Sequence, residues 1–330
     1  MGTKEQKKTY EMDMCSGSIL KKMLIFTIPL MCSSILQLLF NAADIVVVGR
    51  FAGDNSLAAV GSNTALINLL TNLFVGLSIG ANVAAARFYG AKQDGEVKKT
   101  VHTAMLLSIF SGIILTVIGV IGARQILIWM QTPSEVLELA VLYLRIYFVG
   151  MTGTMIYNFG SALLRAVGDT KRPLYYLFGA GCVNIVLNLL FVICFHMDVA
   201  GVAFATVISE AISALLVLRC MIKEKGSIHL ELRELHIYPD KFVQILKVGL
   251  PAGFQGIVFA LSNVVIQSSI NLFGATVVAG NSAAANIEGF VYMAMNSFYQ
   301  ATISFTSQNF GAGKQERINR IALTGEFCVI

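Results

Sequence analysis

Long apolar runs alternate along this chain with short polar stretches rich in Lys and Arg. Eight runs, approximately 23–48, 57–86, 100–121, 135–164, 173–195, 199–221, 242–273 and 279–307, reach the length of about 20 residues that a helix needs to cross a bilayer. Each is predicted as a membrane helix, because a helix satisfies its own backbone groups where no water is present. The fold class read from this pattern is all-α, a polytopic membrane protein.

Composition agrees. Of 330 residues, 56% are hydrophobic and 13% charged, against about 25% charged in an average soluble domain. The net charge of +5 matters less than where the charges lie. With the N-terminus placed in the cytoplasm, 21 of the 24 Lys and Arg fall on inside segments. Arg50 and Arg124 lie outside and Arg145 within the fourth span. The positive-inside rule therefore predicts a multi-pass protein of the plasma (inner) membrane with a cytoplasmic N-terminus. The first run is too long for a signal-peptide core and is expected to stay as a span. Part of the polar, basic segment 1–22 is expected to lie flat on the inner membrane surface. The six cysteines show neither metal nor redox spacing.

Three matches in order indicate a duplication. Leu24-Ile25-Phe26-Thr27-Ile28-Pro29 is answered by Leu246-Lys247-Val248-Gly249-Leu250-Pro251, Gly61-Ser62-Asn63 by Gly280-Asn281-Ser282, and Tyr89-Gly90-Ala91-Lys92 by Phe310-Gly311-Ala312-Gly313-Lys314. The Pro-to-Gly interval is 61 residues in the first copy and 60 in the second. Because the second copy follows six spans, both copies enter the membrane from the same side. Parallel repeats of this kind build transporters whose binding sites lie near the repeat interface. The expected organisation is a six-helix lobe over 1–222, a cytoplasmic linker over 223–241, and over 242–330 the first two helices of a parallel repeat lobe with a short apolar stub. A six-plus-six plan cut after eight helices reads as C-terminally truncated.

Asp44 is the only charge between Met23 and Val48. An ionisable side chain inside a span costs roughly 2.5–3.5 kcal/mol on insertion scales and marks a functional site by default. Gln37 and Asn41 precede it by seven and three residues and share its helix face. Asn184, Asn188 and Thr206 are expected at the same depth in the outer half of the membrane. A carboxylate, two amide oxygens and a hydroxyl there can ligate Na⁺ or form a pocket where Asp44 exchanges a proton; Asn and Thr also serve as hydrogen-bonding glue between helices. Pro29 is a hinge candidate, since proline removes a helical hydrogen bond, although it also fits a passive kink. In the second copy Asn263, Gln267 and Asn271 form a polar stripe, and the counterpart of Asp44 is Ile266. Gln37, Asn41, Asn263, Gln267 and Glu288 are candidates to line a substrate cavity. Glu210 and Glu288 are buried acids that could bind a substrate cation, carry a second proton, or serve a structural partner. Arg145 could neutralise an acid or snorkel outward. The histidines, His102 among them, are expected to be solvated. Gly311-Ala312-Gly313-Lys314 lacks the first glycine and the Ser/Thr of a phosphate loop, so no enzyme is read from it. Gly76-xxx-Gly80 and Gly249-xxx-Gly253 permit close helix packing.

These residues together resemble the bacterial multidrug and toxic compound extrusion transporters. The resemblance rests on Pro29 with Gln37-xxx-Asn41-Ala42-Ala43-Asp44-Ile45-Val46-Val47-Val48-Gly49-Arg50, on Arg165-Ala166-Val167-Gly168-Asp169-Thr170-Lys171-Arg172-Pro173, on Gly249-Leu250-Pro251, and on Ser307-Gln308-Asn309-Phe310-Gly311-Ala312-Gly313-Lys314. It implies a two-lobed, twelve-helix antiporter that expels cationic amphiphiles against H⁺ or Na⁺. It also implies a coupling site at Asp44, Asn184 and Thr206 and a bending proline at Pro29. Many members carry Asp where this chain has Asn188, so Asp44 is expected to hold the only formal charge in its pocket. Span seven lacks the carboxylate of some Na⁺-driven relatives, with Phe259 near that place. Both departures favour H⁺ over Na⁺. The expected function is secondary antiport of small organic cations or drugs by a monomer in the lipid bilayer. It uses no cofactor beyond Na⁺ as a coupling ion and binds no nucleic acid. The alternatives are a lipid-linked substrate flippase, which would need cationic groups in its cavity, and a truncated, non-transporting membrane protein.

Overall fold

A computed structural model describes residues 10–271 and 275–330, with some side chains in 264–287 and that of residue 65 left out of the description. The helices are α1 (Ile19–Phe51), α2 (Asp54–Gly90), α3 (Asp94–Trp129), α4 (Ser134–Val149), α5 (Met151–Ala166), α6 (Lys171–Leu189), α7 (Asp198–Lys223), α8 (Pro239–Asn271), α9 (Ala275–Gly311) and α10 (Gln315–Val329). A π-turn, Leu190–Cys194, continues α6, and a 3₁₀ turn, Leu232–Glu234, precedes α8. Among the described residues there is no strand. Six helices are long and apolar enough to cross a membrane, or seven with α4 and α5 taken together. Over their described residues the eight expected runs fall on helices.

Two local readings change. The fourth span is not one helix but α4 and α5, bent by 47°. The break falls at Gly150, where a Cβ would come within 2.8 Å of Val207 on α7, and Thr116 takes up the nearby Phe148 carbonyl at 2.7 Å. The stub is not an apolar tail but α10, whose Ile321 and Gly325 pack inward while Leu323 and Phe327 are exposed. By contrast, α1 runs unbroken through Pro29 and α8 through Pro251.

The duplication is visible in hydrogen bonds. After α2, Ala91, Lys92 and Gln93 donate to Arg87, Tyr89 and Phe88; after α9, Ala312, Gly313 and Lys314 donate to Gln308, Phe310 and Asn309. The central residue of each turn is left-handed, φ 58° at Lys92 and 69° at Gly313. α10 therefore follows α9 as α3 follows α2. The two turns also touch across the molecule. A Cβ at Gly90 would fall on the Gln308 carbonyl and one at Gly311 on the Arg87 carbonyl, at 1.9 and 1.8 Å. That reciprocity is what a two-fold relation between the copies requires.

A second seam lies higher on α2. A Cβ on Gly76 would sit 2.3 Å from the Gly253 nitrogen, and one on Gly249 2.7 Å from the Leu77 Cα. The two GxxxG stretches thus face each other backbone to backbone, and van der Waals contact between whole helices replaces side-chain packing. On the other side of the molecule α1 meets α9 through Phe26 and Phe305, whose rings stand edge to face at 5.6 Å.

Residues 10–17 are held by protein contacts. They form a strap between the copies. Met12 donates to the Val167 carbonyl at 3.2 Å, and Glu11 accepts from the Tyr89 hydroxyl at 3.1 Å. From the second copy Asn309 donates to Met14 O (3.1 Å), Lys314 to Cys15 O (2.8 Å) and Arg317 to Gly17 O (3.1 Å). Met14 is fully buried. The segment offers extended backbone groups that must be paired once they are out of water, and the second copy supplies the donors. The linker is ordered too. Lys98 pairs with Glu231 and Glu234, and Glu231 N–H donates to His102 Nε2 at 3.2 Å. His102 is thus buried rather than solvated, because it closes an otherwise unpaired backbone amide.

Candidate functional site

The polar stripe of α1 opens onto a cavity of about 230 Å³ lined by α1, α4, α5, α6 and α7. Gln37, Asn41 and Asp44 all line it, as their shared helix face predicted. Asp44 itself is buried, at 8% exposure. A carboxylate removed from water needs donors, and two helices supply them. Asn188 Nδ2 on α6 donates to one carboxylate oxygen, and Thr206 Oγ1 on α7 to the other at 3.3 Å. Asn188 Nδ2 also reaches Asn184 Oδ1 at 3.1 Å, and Asn184 Nδ2 reaches Thr206 at 3.4 Å. The four residues named from the sequence therefore form one closed ring of hydrogen bonds. Asn184 and Asn188 are one turn apart on α6, just before its π-turn, a distortion that is common at functional sites. The Oδ1 of Asn188 is buried without a partner.

Asp44 does not hold the only charge. Glu210, one turn beyond Thr206 on α7, lines the same cavity and accepts a hydrogen bond from Thr154 of α5. The sequence offered Glu210 as a buried acid but did not join it to Asp44. Its i,i+4 spacing from Thr206 was the signal that could have joined them. Tyr147, Thr154, Tyr157 and Asn158, also on the wall, were missed. Thr154 and Asn158 share the same spacing, and Asn158 Nδ2 donates to Thr154 O at 2.9 Å. The Tyr157 hydroxyl donates to Pro173 O at 3.3 Å, which fixes its ring.

No Lys, Arg or His lines this cavity. Arg145 does not reach an acid; its Nε donates to the Val120 carbonyl at 3.2 Å from an exposed position on α4. Two carboxylates line one space on whose wall, among the described residues, no basic side chain stands, so it favours cations over anions.

The other candidates are dispersed. Asn263 and Glu288 are exposed on α8 and α9 and do not line this cavity, because its walls all come from the first copy. The side chain of Gln267 lies outside the described residues. Pro29 sits one helical stretch below the cavity, with Ser33 Oγ bonded to its carbonyl at 2.9 Å. Among the described residues no group of three or more His, Cys, Asp or Glu could hold a metal ion. The Asn63 of the repeated motif is glue, donating to Ala140 O at 3.0 Å.

Comparison with known proteins places this bundle. The family model described as MatE matches residues 29–190 and 251–330, well over half of the chain. The probable multidrug resistance protein YoeA of Bacillus subtilis (strain 168) is 29% identical over 315 residues, covering 93% of this chain and 68% of that protein. The probable multidrug resistance protein NorM of Thermotoga maritima is 26% identical over 309 residues, covering 91% and 65%. Among solved structures, an outward-facing multidrug resistance MATE family transporter of the MOP superfamily superposes with a TM-score of 0.87 at 25% identity, covering 94% of this chain and 69% of that one. A MOP superfamily transporter from Pyrococcus furiosus gives 0.87 at 26%, covering 94% and 69%. With its duplicated helices, its seams of small residues and its polar cavity inside one copy, this chain belongs to the MatE family of multi-pass membrane transporters.

Proposed function

We propose that the protein is a secondary active antiporter that exports small organic cations or drugs in exchange for H⁺ or Na⁺, with its N-terminal end in the cytoplasm. The observation that carries this reading is the cavity wall, which holds Asp44 and Glu210 and no Lys, Arg or His. Such a space attracts cations and repels the phosphates of a lipid-linked substrate, which argues against a flippase. The similarity to multidrug resistance proteins supports the same reading.

Asp44 is the coupling group in this mechanism, with Asn184, Asn188 and Thr206 as its partners. As a carboxylate it accepts from Asn188 and Thr206, which ties α1 to α6 and α7. A proton on Asp44 turns an acceptor into a donor, so one of those bonds must break. The unpartnered Oδ1 of Asn188 can then be turned to accept it. The contacts that hold α1 to α6 and α7 are thereby rearranged, and Pro29, where the helix lacks a hydrogen bond, is the place for it to bend. Na⁺ would instead take oxygens from Asp44, Asn184, Asn188 and Thr206, as hard cations do, and Asn188 would have to turn its oxygen inward. One carboxylate among four ligands is little charge for Na⁺, which favours the proton.

The test is efflux of a fluorescent organic cation from proteoliposomes under an imposed pH or Na⁺ gradient, wild type against Asp44→Asn. Gradient-driven efflux that survives undiminished in the variant overturns the mechanism. Efflux driven by Na⁺ alone at constant pH would assign the coupling ion to Na⁺.

A further inference from the structure

The cavity has two charged ends. Asp44 is enclosed by Asn188 and Thr206, whereas Glu210 has one hydrogen-bonding side chain on it, Thr154. The two ends are separated along α7 by one turn, Thr206 to Glu210, about 6 Å of rise. Aromatic side chains border both acids: Phe40 stands one turn before Asp44 on α1, and tyrosines of α4 and α5 share the space that is lined by Glu210. Tyr147 and Tyr157 line the cavity with it; Tyr147 stacks on Tyr143 at 5.9 Å, and Tyr157 is held through its hydroxyl. Fixed rings beside a carboxylate form a receptor for a cation with a flat or bulky apolar body, because ring faces and the acid attract the same charge while the rings bury the body.

We propose that Glu210 is the counter-charge for the exported cation, and that this cavity keeps two separate cation positions. The Glu210 end, with Tyr147 and Tyr157, takes an organic monocation with aryl groups, and the Asp44 end takes the coupling ion. This rests on the antiporter reading above and adds a division of labour to it. Glu210 also makes up for the acid that position 188 does not supply. The cavity keeps two negative charges, but moves one of them from beside Asp44 to the substrate wall. A lone proton or Na⁺ at Asp44 then leaves one charge for the organic cation, so both can be held together and their competition is electrostatic rather than for the same atoms.

The experiment uses the full chain purified in detergent, with tetraphenylphosphonium as the cation and triphenylphosphine oxide as its neutral, aryl-bearing comparison. Affinity is read by equilibrium dialysis on protein isolated as a single species. Glu210→Gln keeps the acceptor for Thr154 and removes the charge. It is expected to weaken tetraphenylphosphonium by about tenfold or more while barely moving the neutral compound, as loss of a charge partner does. Glu210→Asp is expected to keep most of the preference for the cation. Because the result is a ratio within one sample, partial loss of folded protein does not mimic it. Asp44→Asn is expected to weaken tetraphenylphosphonium less than Glu210→Gln does and to lose gradient-driven efflux. If Glu210→Gln binds the cation as the wild type does and Asp44→Asn takes the loss, the two-position proposal is overturned while antiport stands. If the wild type shows the Glu210-dependent preference but no gradient moves the cation, antiport is overturned and the binding site stands. If the wild type does not prefer the cation over the neutral compound, both are overturned.

Discussion

The first helices of the two copies, α1 and α8, share a frame and differ in chemistry. Both run through a proline, Pro29 and Pro251, and both are followed by a helix that ends in the same left-handed turn. Twelve residues past each proline stands an asparagine, Asn41 or Asn263. Three residues later the copies part. Asp44 points into a polar cavity and is buried, while Ile266 is 56% exposed. What has been kept is the backbone geometry that lets two copies close on each other. The charge belongs to one copy only. Symmetry here serves assembly, and asymmetry serves the chemistry.

The sharpest way to break that comparison is to remove the charge. Asp44→Asn is expected to abolish gradient-driven efflux, a loss of at least about tenfold, while the melting temperature stays close to wild type, since the amide can keep one of its two partners. The frame comes next. Gly76→Val places branched carbons where the Gly253 backbone already lies, and overpacking of this kind costs about 3 kcal/mol or more where the backbone must move. A large drop in thermal stability, or no recoverable monodisperse protein, is the expected result; an unchanged melting curve would mean that the seam is slack. The third test grafts the charge onto the other copy. Ile266→Asp lacks the donors that Asn188 and Thr206 give Asp44, so it should cost roughly 2.5–3.5 kcal/mol on insertion and should not restore efflux to Asp44→Asn. Efflux rescued by that double variant would show the copies to be interchangeable. The smallest effect is expected at the strap. Arg317→Ala removes bonds to Gly17, Ser16 and Asn309, worth about 1–2 kcal/mol net. Its signature is faster proteolysis within the first twenty residues.

The spans and the duplication were legible in the sequence because hydropathy and periodicity act locally, within one helix at a time. So was the ring around Asp44, since depth along three spans brought Asn184, Asn188 and Thr206 to its level. The bend at Gly150 was not, because what decides it is the approach of Val207 from another helix. Nor was the meeting of Asp44 and Glu210. Depth placed Glu210 one turn lower, and only the lateral packing of α5 against α7 turns that turn into the opposite wall of the same cavity. The strap defeated sequence reading for a third reason. Residues 10–17 have no period and no apolar run, and their place is set by distant partners, Tyr89, Val167 and residues near 310.

That last distance has a consequence for how the molecule is made. The strap leaves the ribosome before its partners, and Met14 O waits for Asn309, 295 residues later, so the segment cannot reach its seat until both copies stand in the membrane side by side. Domains otherwise form in the order of synthesis. Here the first residues described are among the last to settle, and a bulky fusion at the N-terminus would be expected to delay closure of the bundle rather than insertion of its helices.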